Sequence, residues 1–90
     1  MLNQTFIMEC KEGFHLRPAQ VLMEAVTPFQ SSVKLARVED HSAEADAKSI
    51  LGLMSLGINE GEKVEVTVSG PDEEKAMETV QKLFASRFEE

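Results

Sequence analysis

The feature that most constrains the fold is a strictly alternating stretch near the end of the chain, from Lys63 to Ser69. Val64, Val66 and Val68 alternate there with polar residues. Because successive side chains of a strand point to opposite faces, this period of two predicts a strand with one buried face and one polar face. We expect it to lie at the centre of a sheet whose helices pack on the valine side.

Periodicity predicts the remaining elements in chain order. Alternation indicates strands at Gln4–Cys10 and Ser32–Val38, and a short third strand at Ala43–Ala45 that follows a turn at Glu39–Ser42. A 3.6-residue period predicts helices at Leu16–Thr27, at Ser49–Leu56 and from Pro71 onward. The predicted inward stripes are Ala19, Leu22, Met23 and Val26 in the first helix and Ala76, Val80, Leu83 and Phe84 in the last. Arg87 is expected to complement the negative end of the last helix.

The resulting order, β-α-β-β-α-β-α, predicts an α+β fold with one four-stranded antiparallel sheet and three helices on one face. The first helix crosses between the first two strands, so these two strands should run parallel to each other. They fit into an antiparallel sheet when the last strand lies between them, which gives the order 1-4-2-3.

Length, charge and cysteine count narrow the function classes. The 90 residues make one domain, 1-90, and the 42% of hydrophobic residues is too high for a disordered chain. A net charge of -7 argues against nucleic-acid binding, which needs a basic face. Cys10 is the only cysteine, and no leader or long apolar span opens the chain, so we expect a cytoplasmic protein without membrane insertion. We expect neither a metal nor a cofactor, because no Cys and His residues stand at the spacing of metal ligands and no glycine-rich loop of the kind that binds cofactors is present in the sequence.

A histidine, an arginine and a proline stand together in the run GFHLRPA, between the first strand and the first helix. Pro18 favours the start of a helix, so the helix should begin near Leu16 with His15 at or just before its cap. The free N–H groups and the dipole of the helix favour an anion there, and the guanidinium of Arg17 adds charged hydrogen-bond donors. The same field disfavours imidazolium, which leaves His15 a neutral nucleophile. The run predicts a phosphoryl site on His15, whereas His15 taken alone would be read as an ordinary surface histidine.

Three stretches, GFHLRPA, KSILGLMSLGI and VEVTVSG, closely resemble the HPr family of phosphocarrier proteins of the bacterial phosphoenolpyruvate-dependent sugar phosphotransferase system. The resemblance covers nearly the whole chain and implies an open-faced β-sandwich with the strand order given above. It also implies that His15 is the phosphorylated histidine, with Arg17 and Pro18 as its motif partners. Ser49 matches a serine that a dedicated kinase modifies in many Gram-positive members.

Two functions follow from this resemblance. In the first, His15 takes a phosphoryl group from phospho-enzyme I, which phosphoenolpyruvate charges, and passes it to a sugar-specific enzyme IIA, so that the chain is a monomeric relay rather than an enzyme. In the second, the chain is a regulatory module of carbon catabolite control that acts through Ser49, a serine kinase/phosphorylase and a transcriptional regulator. His15 favours the first, because a purely regulatory module needs no nucleophile. A small-ligand-binding domain is a third alternative, without motif support.

The predicted helix at Ser49–Leu56 is apolar on more than one face. Two turns on the surface of a small domain cannot bury every apolar side chain, so we expect Ile50, Leu51 and Met54 to form an exposed partner surface. The alternative is a wholly buried core helix. Gln20, on the exposed side of the first helix, would influence partner choice.

Some positions depart from the family pattern. Glu12 stands where a small polar residue is usual, and Gln20 where a small residue is frequent. A carboxylate at Glu12 would repel a phosphate on His15, unless it points to solvent, where screening leaves little effect. The stretch that contains His41 is about three residues longer than the pattern, which predicts a loop insertion with a solvent-exposed histidine.

Overall fold

The structure, a computed structural model, describes residues 1–9, 11 and 16–88, except for the side chains of residues 40–42. Within these ranges the elements follow in the predicted order, β-α-β-β-α-β-α. They are β1 (Leu2–Ile7), α1 (Leu16–Val26), β2 (Ser32–Arg37), β3 (Asp40–Asp46), α2 (Ile50–Ser55), β4 (Lys63–Ser69) and α3 (Glu73–Ala85).

The four strands form one antiparallel sheet in the order β1-β4-β2-β3, which confirms the predicted order. On one side β4 pairs with β1, from Leu2↔Val68 to Ile7↔Lys63. On the other side it pairs with β2, from Ser32↔Ser69 to Arg37↔Val64. Because β1 and β2 both run antiparallel to β4, they are parallel to each other, as the crossover through α1 predicts.

The valine face of β4 is buried, as its alternation predicts. Val64, Val66 and Val68 are fully enclosed and belong to one apolar cluster with Leu22 of α1 and Val80 of α3. Burial of a Val or Leu side chain contributes about 1.5–3 kcal/mol, so the helix-covered face is the main source of stability. In the part of the chain that the structure describes, the opposite face of the sheet carries no helix and is mostly polar, with Ile7 as an exposed apolar residue.

β1 occupies Leu2–Ile7 rather than the predicted Gln4–Cys10, whose last residue lies outside the described ones. Regular pairing stops where β4 begins, because Met8 bonds to the preceding loop instead. The Met8 N–H donates to the carbonyl of Glu62 at 2.9 Å, and the Met8 carbonyl accepts from the N–H of Gly61 at 2.7 Å. Met8 is fully buried.

β3 is longer than predicted, because it occupies Asp40–Asp46 rather than Ala43–Ala45, and the turn lies at residues 38–39. Between the pairs Ala36↔Glu44 and Arg37↔Asp40, β2 advances by one residue and β3 by four. The pairing therefore jumps over residues 41–43, the same number as the predicted insertion. His41, which was expected in a loop, lies in this strand. Pairing with β2 extends β3 beyond what its polar sequence indicates.

The helices present the predicted inward faces with few differences. In α1, Met23 is half-buried rather than buried, while the other three members of its stripe are enclosed. In α3 the predicted stripe is buried, together with Met77. Arg87 lies two residues beyond the end of α3, and its Nε is 3.8 Å from Oε2 of Glu9, which lies two residues after β1.

Aromatic rings join α3 to the edge of the sheet. The ring of Phe84 stacks on that of Phe6 with a centroid distance of 4.4 Å, and it meets Phe88 edge-on at 4.9 Å. Such pairs contribute about 0.5–1.5 kcal/mol beyond area burial. Phe88, which periodicity did not place in the core, is 5% exposed.

Candidate functional site

The start of α1 is the first part of the candidate site. α1 begins at Leu16, as predicted, and Arg17 is exposed. Pro18 is the third residue of α1 rather than the first, and it is buried. Its missing N–H still falls among the first four of the helix, which have no intrahelical acceptor, so no helical hydrogen bond is lost. His15 precedes α1 directly in sequence and, like Glu12, lies outside the described residues.

Ser49 caps α2, as predicted. Its backbone is extended (φ -119°, ψ 110°), and its Oγ accepts a hydrogen bond from the N–H of Gly52 at 3.1 Å. The carbonyl of Ser49 accepts from the N–H of Leu53 at 3.0 Å, which begins the helical bonding pattern. A serine with this geometry satisfies one of the free N–H groups at the start of the helix.

The two sides of α2 differ in exposure. Leu53 is fully buried and the C-cap Leu56 nearly so, whereas Leu51 is 78% exposed and Met54 is 38% exposed. Ile50 is partly buried and packs against the core. The expected exposure is therefore confirmed for Leu51 and Met54 and only in part for Ile50, and a wholly buried helix is excluded.

A further exposed apolar side chain lies at the start of α1. Leu16 is 58% exposed, and the exposed Gln20 follows one turn later on the same side of α1. Because α1 packs against α2, we group Leu16, Gln20, Ile50, Leu51 and Met54 as the α1–α2 patch. Sequence reasoning missed Leu16, although its position one turn before the outward Gln20 could have identified it.

Among the described residues, two carboxylates at the start of α3, Asp72 and Glu73, have pKa values below their usual ones. A hydrogen bond from the hydroxyl of Ser31 is the largest cause that holds the pKa of Asp72 below its usual value. A hydrogen bond from the Met1 ammonium is the largest cause that lowers the pKa of Glu73. Both carboxylates make contacts between distant parts of the fold, and neither lies on the α1–α2 patch.

Two further tests concern metals and membranes. Among the side chains that the structure describes, which exclude those of residues 40–42, no group of three or more His, Cys, Asp or Glu is arranged to hold a metal ion. Over residues 1–9, 11 and 16–88, no helix is both long enough and apolar enough to cross a bilayer.

Comparison with known proteins identifies relatives along almost the whole chain. Residues 2–86 match the family model described as PTS HPr component phosphorylation site. The chain is 36% identical over 90 residues to the phosphocarrier protein HPr of Treponema pallidum (strain Nichols), with 100% of this chain and 99% of that protein covered. It is 38% identical over 89 residues to the phosphocarrier protein NPr of Escherichia coli (strain K12), with 99% and 97% covered.

Solved structures with a similar fold belong to the same family of proteins. The crystal structure of HPr-C-His from Thermoanaerobacter tengcongensis matches with a TM-score of 0.89 and 34% identity, and it covers 100% of this chain and 99% of that chain. The sequence motifs, the strand order and the family match agree. The chain belongs to the HPr family of phosphocarrier proteins of the phosphotransferase system.

Proposed function

We propose that this chain relays a phosphoryl group from phospho-enzyme I, charged by phosphoenolpyruvate, through His15 to sugar-specific enzyme IIA domains. The observation that carries the proposal is that α1 begins immediately after His15 and exposes Arg17 in its first turn. Membership of the phosphocarrier family supports the same role. The chain then acts in the cytoplasm as a monomeric carrier between two other proteins, and not as a turnover enzyme.

The accepting step is an exchange of one N–P bond for another. An imidazole nitrogen of His15 attacks the phosphorus of the donor's phosphohistidine, the donor's N–P bond breaks, and its electron pair returns to the donor imidazole. Such a transfer depends on positioning and on stabilisation of the charge on the phosphoryl oxygens. The N–H groups of Leu16, Arg17 and Ala19 and the Arg17 guanidinium are the donors that α1 offers for these oxygens. In the passing step His15 is the leaving group.

The α1–α2 patch is the surface that we assign to docking of the donor and the acceptor. Leu16 and Leu51 expose rigid apolar area, and Met54 adds a flexible side chain that adapts to different partners. An apolar surface also suits a chain of net charge -7, because like charges on an acidic partner would oppose a polar contact.

One labelling experiment tests the relay. The chain is incubated with enzyme I and labelled phosphoenolpyruvate, and the expected product is an acid-labile, base-stable label, as phosphohistidine requires. The His15→Ala variant is expected to fold normally and to accept no label. Acid-labile labelling of the alanine variant, or no labelling of the wild type, would overturn the assignment of His15.

A pair of matched variants tests the docking surface. Leu51→Ala is expected to raise the KM of the chain as a phosphoryl acceptor about fivefold, as for a moderate interface hot spot. Ile7→Ala is the control, because Ile7 is also an exposed apolar residue, at 52%, but lies on the open face of the sheet. Equal KM values for the two variants would remove Leu51 from the docking surface.

The capping geometry of Ser49 favours a second candidate function, a regulatory module of carbon catabolite control. Ser49 caps the helix that carries the exposed Leu51 and Met54, so phosphorylation by a serine kinase/phosphorylase would place about two negative charges at the start of α2, close to the α1–α2 patch. The phosphoserine form would then weaken docking of enzyme I and present a new surface to a transcriptional regulator. Incubation with such a kinase and ATP tests this, and a base-labile label that disappears in Ser49→Ala is the expected result.

A further inference from the structure

The short helix α2 is held near both of its ends by charged side chains, one from the residue before its cap and one from β2. α2 has six residues, which is too short for a helix to be stable by itself. Before its cap, Lys48 Nζ donates to the carbonyl of Phe29 at 2.7 Å. Just after its end, Arg37 Nη2 donates to the carbonyl of Gly57 at 2.6 Å. The position of α2 therefore depends on contacts outside the helix.

Arg37 has a second contact that Lys48 does not share. It stands at the end of β2, and its Nε lies 3.5 Å from Glu62 Oε2 in an ion pair whose side chains are 34% and 33% exposed. The Nε atom is itself enclosed and makes no hydrogen bond within the part of the chain that the structure describes. Glu62 Oε1 accepts from the N–H of Asn59 at 2.8 Å. Together, Arg37 and Glu62 fix the connection 57–62 between α2 and β4.

Connection 57–62 also forms hydrogen bonds with Met8, the residue that follows β1 on the way to His15. Met8 is fully buried, and it exchanges hydrogen bonds of 2.9 and 2.7 Å with Glu62 and Gly61. Connection 57–62 thus contacts the end of α2 on one side and, on the other, the residue seven positions before His15. A change in this connection would move the exposed side chains of α2 relative to the chain that carries the phosphoryl acceptor.

We propose that Arg37 and Glu62 form a positioning pair that keeps the α1–α2 patch in register with His15. This inference rests on the proposed function, and it assigns the pair no contact with the phosphoryl group. An arginine suits the role because its planar fork can donate to the Gly57 carbonyl while facing the Glu62 carboxylate. A lysine ammonium at position 37 is a single point charge and would keep only part of this arrangement.

The test combines transfer kinetics with amide hydrogen exchange. Arg37→Met is expected to raise the KM for acceptance from phospho-enzyme I about three- to tenfold, with kcat unchanged, because uniform binding is lost and the reacting groups are intact. Arg37→Lys should recover part of the KM. Amide exchange at Leu53 and Gly57 should accelerate relative to Val66 in the sheet. The matched control is Lys34→Met, which removes a cation from the same strand but breaks only an exposed 3.9 Å pair with Glu44.

Each outcome decides the inference. Equal KM values for the Arg37→Met and Lys34→Met variants would overturn it, as would a fall in kcat with an unchanged KM. Faster exchange in α2 without any change in KM would leave Arg37 with a packing role only. If the wild type accepts no phosphoryl group, the proposed function fails, and this outcome is recognised by the wild type alone. In that case, if Arg37→Met does not accelerate amide exchange at Leu53 and Gly57 relative to Val66, the pair does not position α2.

Discussion

Ser49 offers a substitution pair that separates stability from transfer. Ser49→Ala removes the oxygen that accepts the 3.1 Å hydrogen bond from Gly52 N, and loss of an N-cap costs about 1 kcal/mol. For a domain of this size, that corresponds to a fall in Tm of about 4–8 °C. Ser49→Asp keeps an oxygen acceptor at the cap and adds a negative charge that the helix dipole favours, so its Tm should stay close to that of the wild type.

The rate of phosphoryl acceptance should change in the opposite order, with Ser49→Asp affected and Ser49→Ala unaffected. Ser49→Ala leaves the charge of the α1–α2 patch unchanged, so it should accept phosphoryl groups at the wild-type rate. Ser49→Asp places a carboxylate at the cap of the helix that carries Leu51 and Met54, on a chain that already has a net charge of -7. It should slow acceptance from an acidic donor several-fold at low salt, and less at high salt, where the Debye length falls to about 3 Å at 1 M.

Circular dichroism during heating gives Tm, and the initial rate of labelling at low and high salt gives acceptance. Ser55→Ala is the control, because it removes a hydroxyl from the same helix, one that donates to the Leu51 carbonyl at 2.7 Å and caps no N–H group. Its Tm should change by less than half as much as that of Ser49→Ala. Equal acceptance rates for Ser49→Asp and the wild type at low salt would leave Ser49 as a helix cap without a switching role. An unchanged Tm in Ser49→Ala would refute the cap argument.

Three further outcomes are expected. Arg17→Ala should slow transfer without unfolding the protein, measured as kcat and Tm, because a donor fork is lost from an exposed position while the helix start is kept. Glu12→Ser should lengthen the lifetime of the phosphohistidine, followed as loss of label at neutral pH, and an equal lifetime would mean that Glu12 faces away. Hydrogen bonds from Ser31 and Gln30 lower the pKa of Asp72 in the folded protein. The ionised carboxylate therefore stabilises the fold above the pKa of an unfolded aspartate, about 4, and this contribution is lost as the pH falls through the lower pKa of the folded state. Urea midpoints of wild type and Asp72→Asn should therefore differ at pH 7, and the difference should shrink as the pH falls below about 4.

Local periodicity predicted the elements and the helix-covered face, because both depend on which side chains alternate along the chain. The sheet order followed instead from the crossover between the first two strands and from the resemblance to the HPr family, because strand order is not a local property. Periodicity misplaced the bounds of β1 and β3. The polar pair Asn3 and Gln4 does not mark the beginning of a strand at Leu2. β3 is extended by its pairing with β2 rather than by its own propensity. The register skips residues 41–43 inside β3, whereas the sequence predicted a turn that included residues 41 and 42.

The parts of the site that could be predicted were those set by adjacent residues. Ser49 is a preferred capping residue before an apolar run, and Leu51 and Met54 exceed what a two-turn helix can bury. The contacts of Arg37 with Gly57 and of Lys48 with Phe29 join residues that are 20 and 19 positions apart in the chain. No local period encodes such contacts, so only the folded arrangement reveals them.

These long-range contacts explain how a small surface helix can serve partners without being part of the stable core. Val64, Val66 and Val68 and their helix partners supply the buried area, while α2 contributes Leu53 as its one fully enclosed residue. Its exposed side can therefore change in charge or sequence with little effect on unfolding, because the stability lies elsewhere. Its position must then be maintained by the cap and by charged side chains from β2 and from the residue before the cap. For this reason we expect substitutions on α2 to change partner binding, and substitutions in its tethers to change the alignment of bound partners with His15.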